Sequence, residues 1–227
     1  LPVSVDETVS QEIYSKALGE AKTIVKGERT TGMNEIIDTG DILASMLQDV
    51  FTEVNIYEDD IRFVQSQFLS PIATNGAIAF YRYFIEDTTY VDGNKCIQVS
   101  FGPNNSRDFG FTGSLYIMAD STFRIAKADI SIPIKSTVNY VKRINIAQQF
   151  TQLPSGEQVL AKNDMFVLLE AAKFLKTLEV KRYTEYTNYS FEPLSDRLFR
   201  FRGNTKIEPD AMMQEDKFWA QHRTEQL

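Results

Sequence analysis

The sequence predicts a mainly β fold of α+β type: a curled antiparallel sheet or half-barrel wrapped around one amphipathic helix. Three observations predict it. Apolar and polar residues alternate with period two over most of the chain beyond Ala77, as in strands with one face turned to a core. Turn-forming residues recur about every 10 to 15 positions, the spacing of an antiparallel meander. Only the stretch from Asp41 to Phe51 carries apolar residues at helical spacing.

Ser10 to Arg29 reads as two strands about a turn at Leu18-Gly19-Glu20. In Asp41 to Phe51 the residues Ile42, Leu43, Met46, Leu47, Val50 and Phe51 fall on one face of a 3.6-residue helix, and Asp41 is placed to cap it. Gly32 to Ile37 reads as a preceding turn, ended by Gly40. The meander follows. Ala77 to Glu86 turns at Asp92-Gly93-Asn94, a strong hairpin signal, into Lys95 to Phe101. Phe111 to Met118 turns at Ala119-Asp120-Ser121 into Phe123 to Ile132, which Pro133 ends. Val138 to Thr151 turns at Pro154-Ser155-Gly156 into Gln158 to Leu169, and Leu178 to Phe191 closes the set. The helix stripe has to be buried, and the economical place is the concave face of the sheet.

Composition removes several function classes. The 227 residues contain 24 Lys plus Arg against 31 Asp plus Glu, a net charge of −7, so a nucleic-acid surface built on clustered basic residues is not expected. At 43% hydrophobic and 24% charged the chain is an ordinary globular one. Its one cysteine, Cys96, has no partner for a disulfide and no ligand-spaced neighbours for zinc, and reads as a small buried hydrophobe. The one histidine, His222, lies beside Arg223 near the end, a poor position for a catalytic triad. No apolar run approaches the length of a membrane helix. Leu1 to Glu7 shows neither the basic nor the apolar region of a signal peptide, and with no initiator Met the chain is expected to be a piece of a longer one.

Catalytic and metal sites are not expected, nor is a cofactor. Glu58-Asp59-Asp60 is a carboxylate run without the spaced Asp/Asn/Gly loop of a cation site, and reads as a solvated loop. Glu86-Asp87 with Asp92 supplies carboxylates in the number a glycosidase needs, but at a strand end and turn where acidic residues are common. Ser70-Pro71 and Ser131-Ile132-Pro133 lack the glycines of a nucleophile elbow. The aromatic residues say more: 16 Phe, 10 Tyr and 1 Trp. Phe80, Tyr81, Tyr83 and Phe84 on one strand, with Tyr183, Tyr186 and Tyr189 on another, put rings on both faces of the sheet. Either both faces are covered, or one lines a ligand cavity or forms a carbohydrate-binding surface.

An ordered set of segments carries a resemblance. It comprises Leu1-Pro2-Val3-Ser4, Glu7-Thr8-Val9-Ser10, Val54-Asn55-Ile56-Tyr57, Phe68-Leu69-Ser70-Pro71-Ile72 and Phe80 to Thr88. It continues with Phe111 to Ile117, Asn139-Tyr140-Val141, Gln148-Gln149-Phe150 and Phe218 to Arg223. In this order they resemble the uncharacterised middle region of large outer-membrane proteins of Bacteroidota, whose members carry a carboxypeptidase-regulatory-like module before it and a membrane β-barrel after it. The resemblance implies a place on the periplasmic face of the outer membrane, with adjacent modules of the same parent chain as partners. It implies a half-barrel domain over 1–193 and an irregular or short-helical tail over 194–227 leading to a barrel outside this chain. The architecture is also similar to periplasmic lipoprotein carriers, whose half-barrel encloses acyl chains. That similarity implies a cavity lined by Leu43, Met46, Leu47 and Val50 of the helix and Phe80 and Tyr83 of the sheet. The expected role is thus a non-enzymatic, monomeric binding or interaction domain. Its alternatives are lipid or lipoprotein acyl-chain binding and, as a minor one, an enzyme acting on a glycan or peptide.

Overall fold

A computed structural model describes residues 4–32, 51, 53–63, 66–132, 141–170 and 177–223. The predicted helix lies outside the described residues except for Phe51, as do Pro133 and the first residues of the strand expected from Val138. The chain divides into two compact units, Ile42–Tyr189 and the pair of segments Leu1–Asp41 and Ser190–Leu227.

The larger unit is built on the predicted meander. Strands β5 (Tyr81–Val91), β6 (Asn94–Pro103), β7 (Thr112–Met118), β8 (Ile125–Ile132), β9 (Val141–Gln152), β10 (Gln158–Glu170) and β11 (Thr177–Glu185) form one sheet in chain order, each antiparallel to the next. The sheet is open, not closed into a barrel, consistent with the expected curled sheet. Asp92 and Gly93 both take positive φ, 47° and 77°, so β5 and β6 join through a two-residue turn that matches strand twist.

Several boundaries differ from the sequence reading: β1 starts at Ser4 before the expected Ser10, β11 ends at Glu185 short of the expected Phe191, and two further strands start late. Ala77–Phe80 is one helical turn, α1, because Gly76 enters the left-handed region at φ 87° and its carbonyl accepts from Ala79 N and Phe80 N. The strand therefore starts at Tyr81. Phe123 is likewise in a turn, with φ 51°, where Asp120 Oδ1 accepts from Thr122 N at 2.8 Å, so β8 starts at Ile125.

Period-two alternation assigns every strand residue to one of two faces. One cross-strand row runs Tyr83, Phe101, Gly113, Ile130, Ile146, Met165. A neighbouring row runs Val99, Leu115, Ala128, Gln148, Asn163. Both belong to the buried face, and residues before β5 cover it. These include the hairpin of β3 (Asp60–Phe63) and β4 (Ser66–Leu69), which sequence alternation had not revealed. Val54, Ile56, Ile61, Phe63, Phe68 and Ala77 join the sheet residues in one apolar core. Burying side chains of this size contributes about 1.5–3 kcal/mol each.

Polar bonds hold the cover in place. Tyr81, 1% exposed, donates its hydroxyl to Leu69 O at 2.6 Å and accepts from Phe111 N at 3.2 Å. Tyr83 Oη donates to Pro71 O at 2.7 Å, and Gln148 Nε2 to Val54 O at 2.6 Å. Ser70, fully buried, donates to Ile56 O and accepts from Ile72 N.

The smaller unit joins the two ends of the chain. Strands β1 (Ser4–Ser15) and β2 (Glu20–Gly32) form the expected hairpin about Gly19, and β12 (Thr205–Ile207) pairs in parallel with β2. The hairpin had been expected in the half-barrel over 1–193. Its partners instead are the segment read as a tail, because the apolar residues Ile13 and Ile24 pack with Phe199. Lys22 Nζ donates to Phe199 O and Phe201 O at 2.7 and 2.9 Å. A short helix, α2 (Asp216–His222), buries Trp219. Phe218 of this helix lies so close to Gly27 that a Cβ there would approach its ring to 2.4 Å. Arg29 stacks over Trp219 at 4.5 Å and donates to Glu7 at 2.6 Å, and Arg223 donates to the same carboxylate.

Two outcomes follow from these contacts. Burial pushes the Tyr81 phenol up to about 12, against the smaller opposing effect of the bond from Phe111 N. The unfolded chain ionises this group at about 10, so its neutral form favours the folded state below that pH and the advantage is lost as pH rises to about 12. Tyr81→Phe removes this part of the pH dependence and lowers stability at pH 7 by about 1–3 kcal/mol, because Leu69 O and Phe111 N lose a buried partner. Urea unfolding at pH 7 and above 10 reads both effects. For Glu7, burial acts upward, but the bonds from Arg29 and Arg223 outweigh it and hold the carboxyl below its ordinary range. Its contribution is present above the unfolded value near 4.5 and is lost as pH falls through the lower native value. Trp219 fluorescence should follow that loss in the unsubstituted chain, and Glu7→Gln should remove it.

Candidate functional site

Of the six residues expected to line an acyl cavity, Leu43, Met46, Leu47 and Val50 lie outside the described residues. Phe80 and Tyr83 are half-buried against the core. The Phe80 ring meets Tyr81 edge-on at 4.8 Å, and it lies where a Cβ on Gly110 would approach it to 2.5 Å. Tyr83 is tied to Pro71. Phe68 stacks on Phe111 at 4.6 Å and meets Phe109 at a tilt, 4.8 Å away. Around these positions the buried face is thus filled by protein.

The opposite face is different in kind. Its central row crosses all seven strands as Phe84, Ser100, Ser114, Asp129, Ala147, Asp164 and Tyr183. Both ends are aromatic and open, Phe84 at 58% and Tyr183 at 62% exposure. The middle is small or polar. A second row on this face runs Thr112, Ser131, Asn145, Phe166 and Lys181, and a third runs Tyr116, Lys127, Gln149, Lys162 and Glu185. Short side chains at Ser114, Ser131 and Ala147 beside the larger Phe166, Tyr183 and Lys181 leave a groove of about 360 Å³.

The charges along the groove are balanced. Lys127 Nζ lies 2.9 Å from Asp129 and 5.1 Å from the centre of the Tyr116 ring. Burial pushes the Tyr116 phenol up, Asp129 adds to that, and Lys127 opposes it. Lys181 stands over Phe166 at 6.0 Å, and Asn145 Nδ2 donates to Ser131 Oγ at 2.6 Å. Asp129 and Asp164 flank Ala147 from β8 and β10, two strand spacings or about 10 Å apart. Such a surface presents ring faces, fixed acceptors and fixed donors to a ligand lying across the strands.

The other sequence candidates have local partners. Asp59 Oδ1 accepts from Thr74 N at 2.7 Å. Glu86 accepts from Ser100 Oγ, Asp87 from Thr88 N, and Asp92 from Gln149 Nε2. His222 Nδ1 lies 2.7 Å from Phe218 O, and its ring packs on Phe218. Burial raises the Cys96 thiol, which lowers its reactivity. Among the described residues no three His, Cys, Asp or Glu converge on a metal position. Of these groove residues Tyr183 stood out in the sequence as one of the aromatic residues, whereas Ser114, Asp129, Ala147 and Asp164 did not, because only the register of five strands brings them into line with it. Their signal was the polar half of each alternating run.

A model of a family of unknown function (DUF5686) matches residues 5–189. No curated protein and no solved structure matches the chain. The family match takes in β1, β2 and every strand of the seven-stranded sheet.

At Gly113, in the row of the covered face, β7 runs close against β8. A Cβ there would lie 1.9 Å from Asp129 O, a backbone atom that cannot turn away. Gly113→Ala should therefore force β7 from β8 and destabilise the chain by about 2–4 kcal/mol. Urea unfolding measures this, and an unchanged midpoint contradicts the close approach.

Proposed function

We propose, for a chain that belongs to the family of unknown function (DUF5686), a non-enzymatic binding role exercised through the open face of its seven-stranded sheet. The carrying observation is the contrast between the two faces. The apolar face is covered by residues that precede β5, Val54, Ile56, Ile61, Phe63, Phe68 and Ala77 among them, whereas the opposite face presents a groove with aromatic, amide, hydroxyl and carboxylate groups in cross-strand rows. The resemblance to the middle region of Bacteroidota outer-membrane proteins supports a place for this domain on the periplasmic face of the outer membrane, beside a barrel in the same parent chain.

A binding role suits the groove better than hydrolysis. A general acid needs a carboxyl shielded from water or set against a second carboxylate. Here Asp129 is paired with Lys127, and the groove is open to solvent. Acyl-chain binding would have to rest on the stripe Leu43, Met46, Leu47 and Val50, since Phe80 and Tyr83 are engaged in packing.

The purified chain should show no turnover of chromogenic glycoside, ester and peptide substrates. Turnover that disappears in Asp164→Asn or Asp129→Asn, with the fold retained, would overturn the reading in favour of an enzyme.

A further inference from the structure

We infer that the groove on the open sheet face is a binding site for a neutral oligosaccharide, lying across strands β7 to β11 with one sugar ring stacked on Tyr183. The inference deepens the binding role proposed above and rests on it.

Three features of the groove select this ligand class. The first is the ring at its end. Tyr183 sits on the edge strand β11 and is 62% exposed. An exposed ring on a strand presents apolar surface while its hydroxyl reaches water. The C–H face of a pyranose is weakly positive and suits the negative face of such a ring, whereas a peptide or acyl chain would gain more from an enclosed apolar pocket.

The second feature is the set of fixed polar groups behind the ring. Asp164, Asp129 and Ser114 continue the row from Tyr183, and Asn145 stands in the next one. Carboxylates accept, amides both donate and accept, and hydroxyls do either. Vicinal sugar hydroxyls, each both donor and acceptor, can satisfy such a mixture. The row from Ser114 to Tyr183 crosses five strands, about 19 Å, long enough for an oligosaccharide and too long for a single sugar.

Charge is the third. The carboxylates Asp129 and Asp164 share this face with the ammonium groups of Lys127 and Lys181, Lys127 lying 2.9 Å from Asp129 and Lys181 4.0 Å from Glu179. An anionic ligand would meet the carboxylates and a cationic one the lysines, so balance favours a neutral polyhydroxyl chain. Ala147 forms the floor between the two carboxylates, where any larger side chain would occupy the ligand's place.

The test uses the full chain and isothermal titration calorimetry. Cellohexaose, maltohexaose and N-acetylchitohexaose serve as neutral probes, with a hyaluronan hexasaccharide and a chitosan hexamer as charged ones. At least one neutral probe should bind with a Kd below about 1 mM, more tightly than either charged one. Tyr183→Ala and Ala147→Leu should each weaken that binding at least about tenfold, the size of losing one aromatic contact or filling the floor. Both positions face outward, and circular dichroism with thermal unfolding confirms that the variants fold. Asp164→Asn supplies a third readout should one of them unfold. The inference fails if no neutral probe binds, if a charged probe binds more tightly, or if binding is unchanged in the folded variants. Hydrolysis of a bound probe, lost in Asp164→Asn, would instead overturn the non-enzymatic reading while leaving the sugar site standing.

Discussion

Cross-strand register is the constraint on which the rest of the larger unit depends. In an antiparallel meander of seven strands, a slip of one residue in any strand would send its apolar set to the solvent face. Here the registers agree from β5 to β11, so that Tyr83, Phe101, Ile130, Ile146 and Met165 share one face. Bulges adjust the pairing where it would drift. One lies between Tyr116 and Ile117, opposite the adjacent buried residues Ile125 and Ala126; another lies between Leu160 and Lys162. A consistent register creates two surfaces of opposite chemistry from the same strands, and the proposed separation of structural and binding roles follows from it.

The apolar surface is satisfied within the unit. The segment from Val54 to Tyr81 lies on it as loop, hairpin and helical turn, and such irregular backbone needs partners for its own polar groups when buried. Tyr81, Tyr83, Ser70 and Gln148 provide them through side-chain bonds to Leu69, Pro71, Ile56 and Val54. Tyr81, Tyr83 and Gln148 therefore connect the sheet to its cover by direction as well as by apolar contact, and Ser70 ties the cover to itself. The other surface has no such cover among the described residues, and its depression comes from short side chains flanked by long ones rather than from any break in the sheet.

Much of this was legible in the sequence. The strands β6 to β11, the Asp92-Gly93 hairpin and the open, mainly antiparallel architecture follow from period-two alternation and turn chemistry. What stayed hidden involved either short elements or distant register. Asp60–Phe63 and Ser66–Leu69 are too short for alternation to register, and Gly76 was not recognised as the start of a helical turn before Tyr81. The association of Ile13 and Ile24 with Phe199 links positions nearly two hundred residues apart, which no local pattern encodes. The rings on both faces of the sheet were visible as a pattern. Their division into packed rings, such as Tyr81 and Phe101, and open ones, such as Phe84 and Tyr183, depended on the cover.

The central claim is that one face is closed by its own chain and the other is open for binding. Carbene footprinting of the full chain, with residue-level mass spectrometry, tests this most directly. Strong labelling of Tyr183 and Phe84 is expected, with Tyr81, Phe68, Phe101 and Phe111 protected. Labelling of Tyr81 and Phe111 at the level of Tyr183 would contradict it, because the covered face would then be an open cavity and the acyl-carrier alternative would take its place.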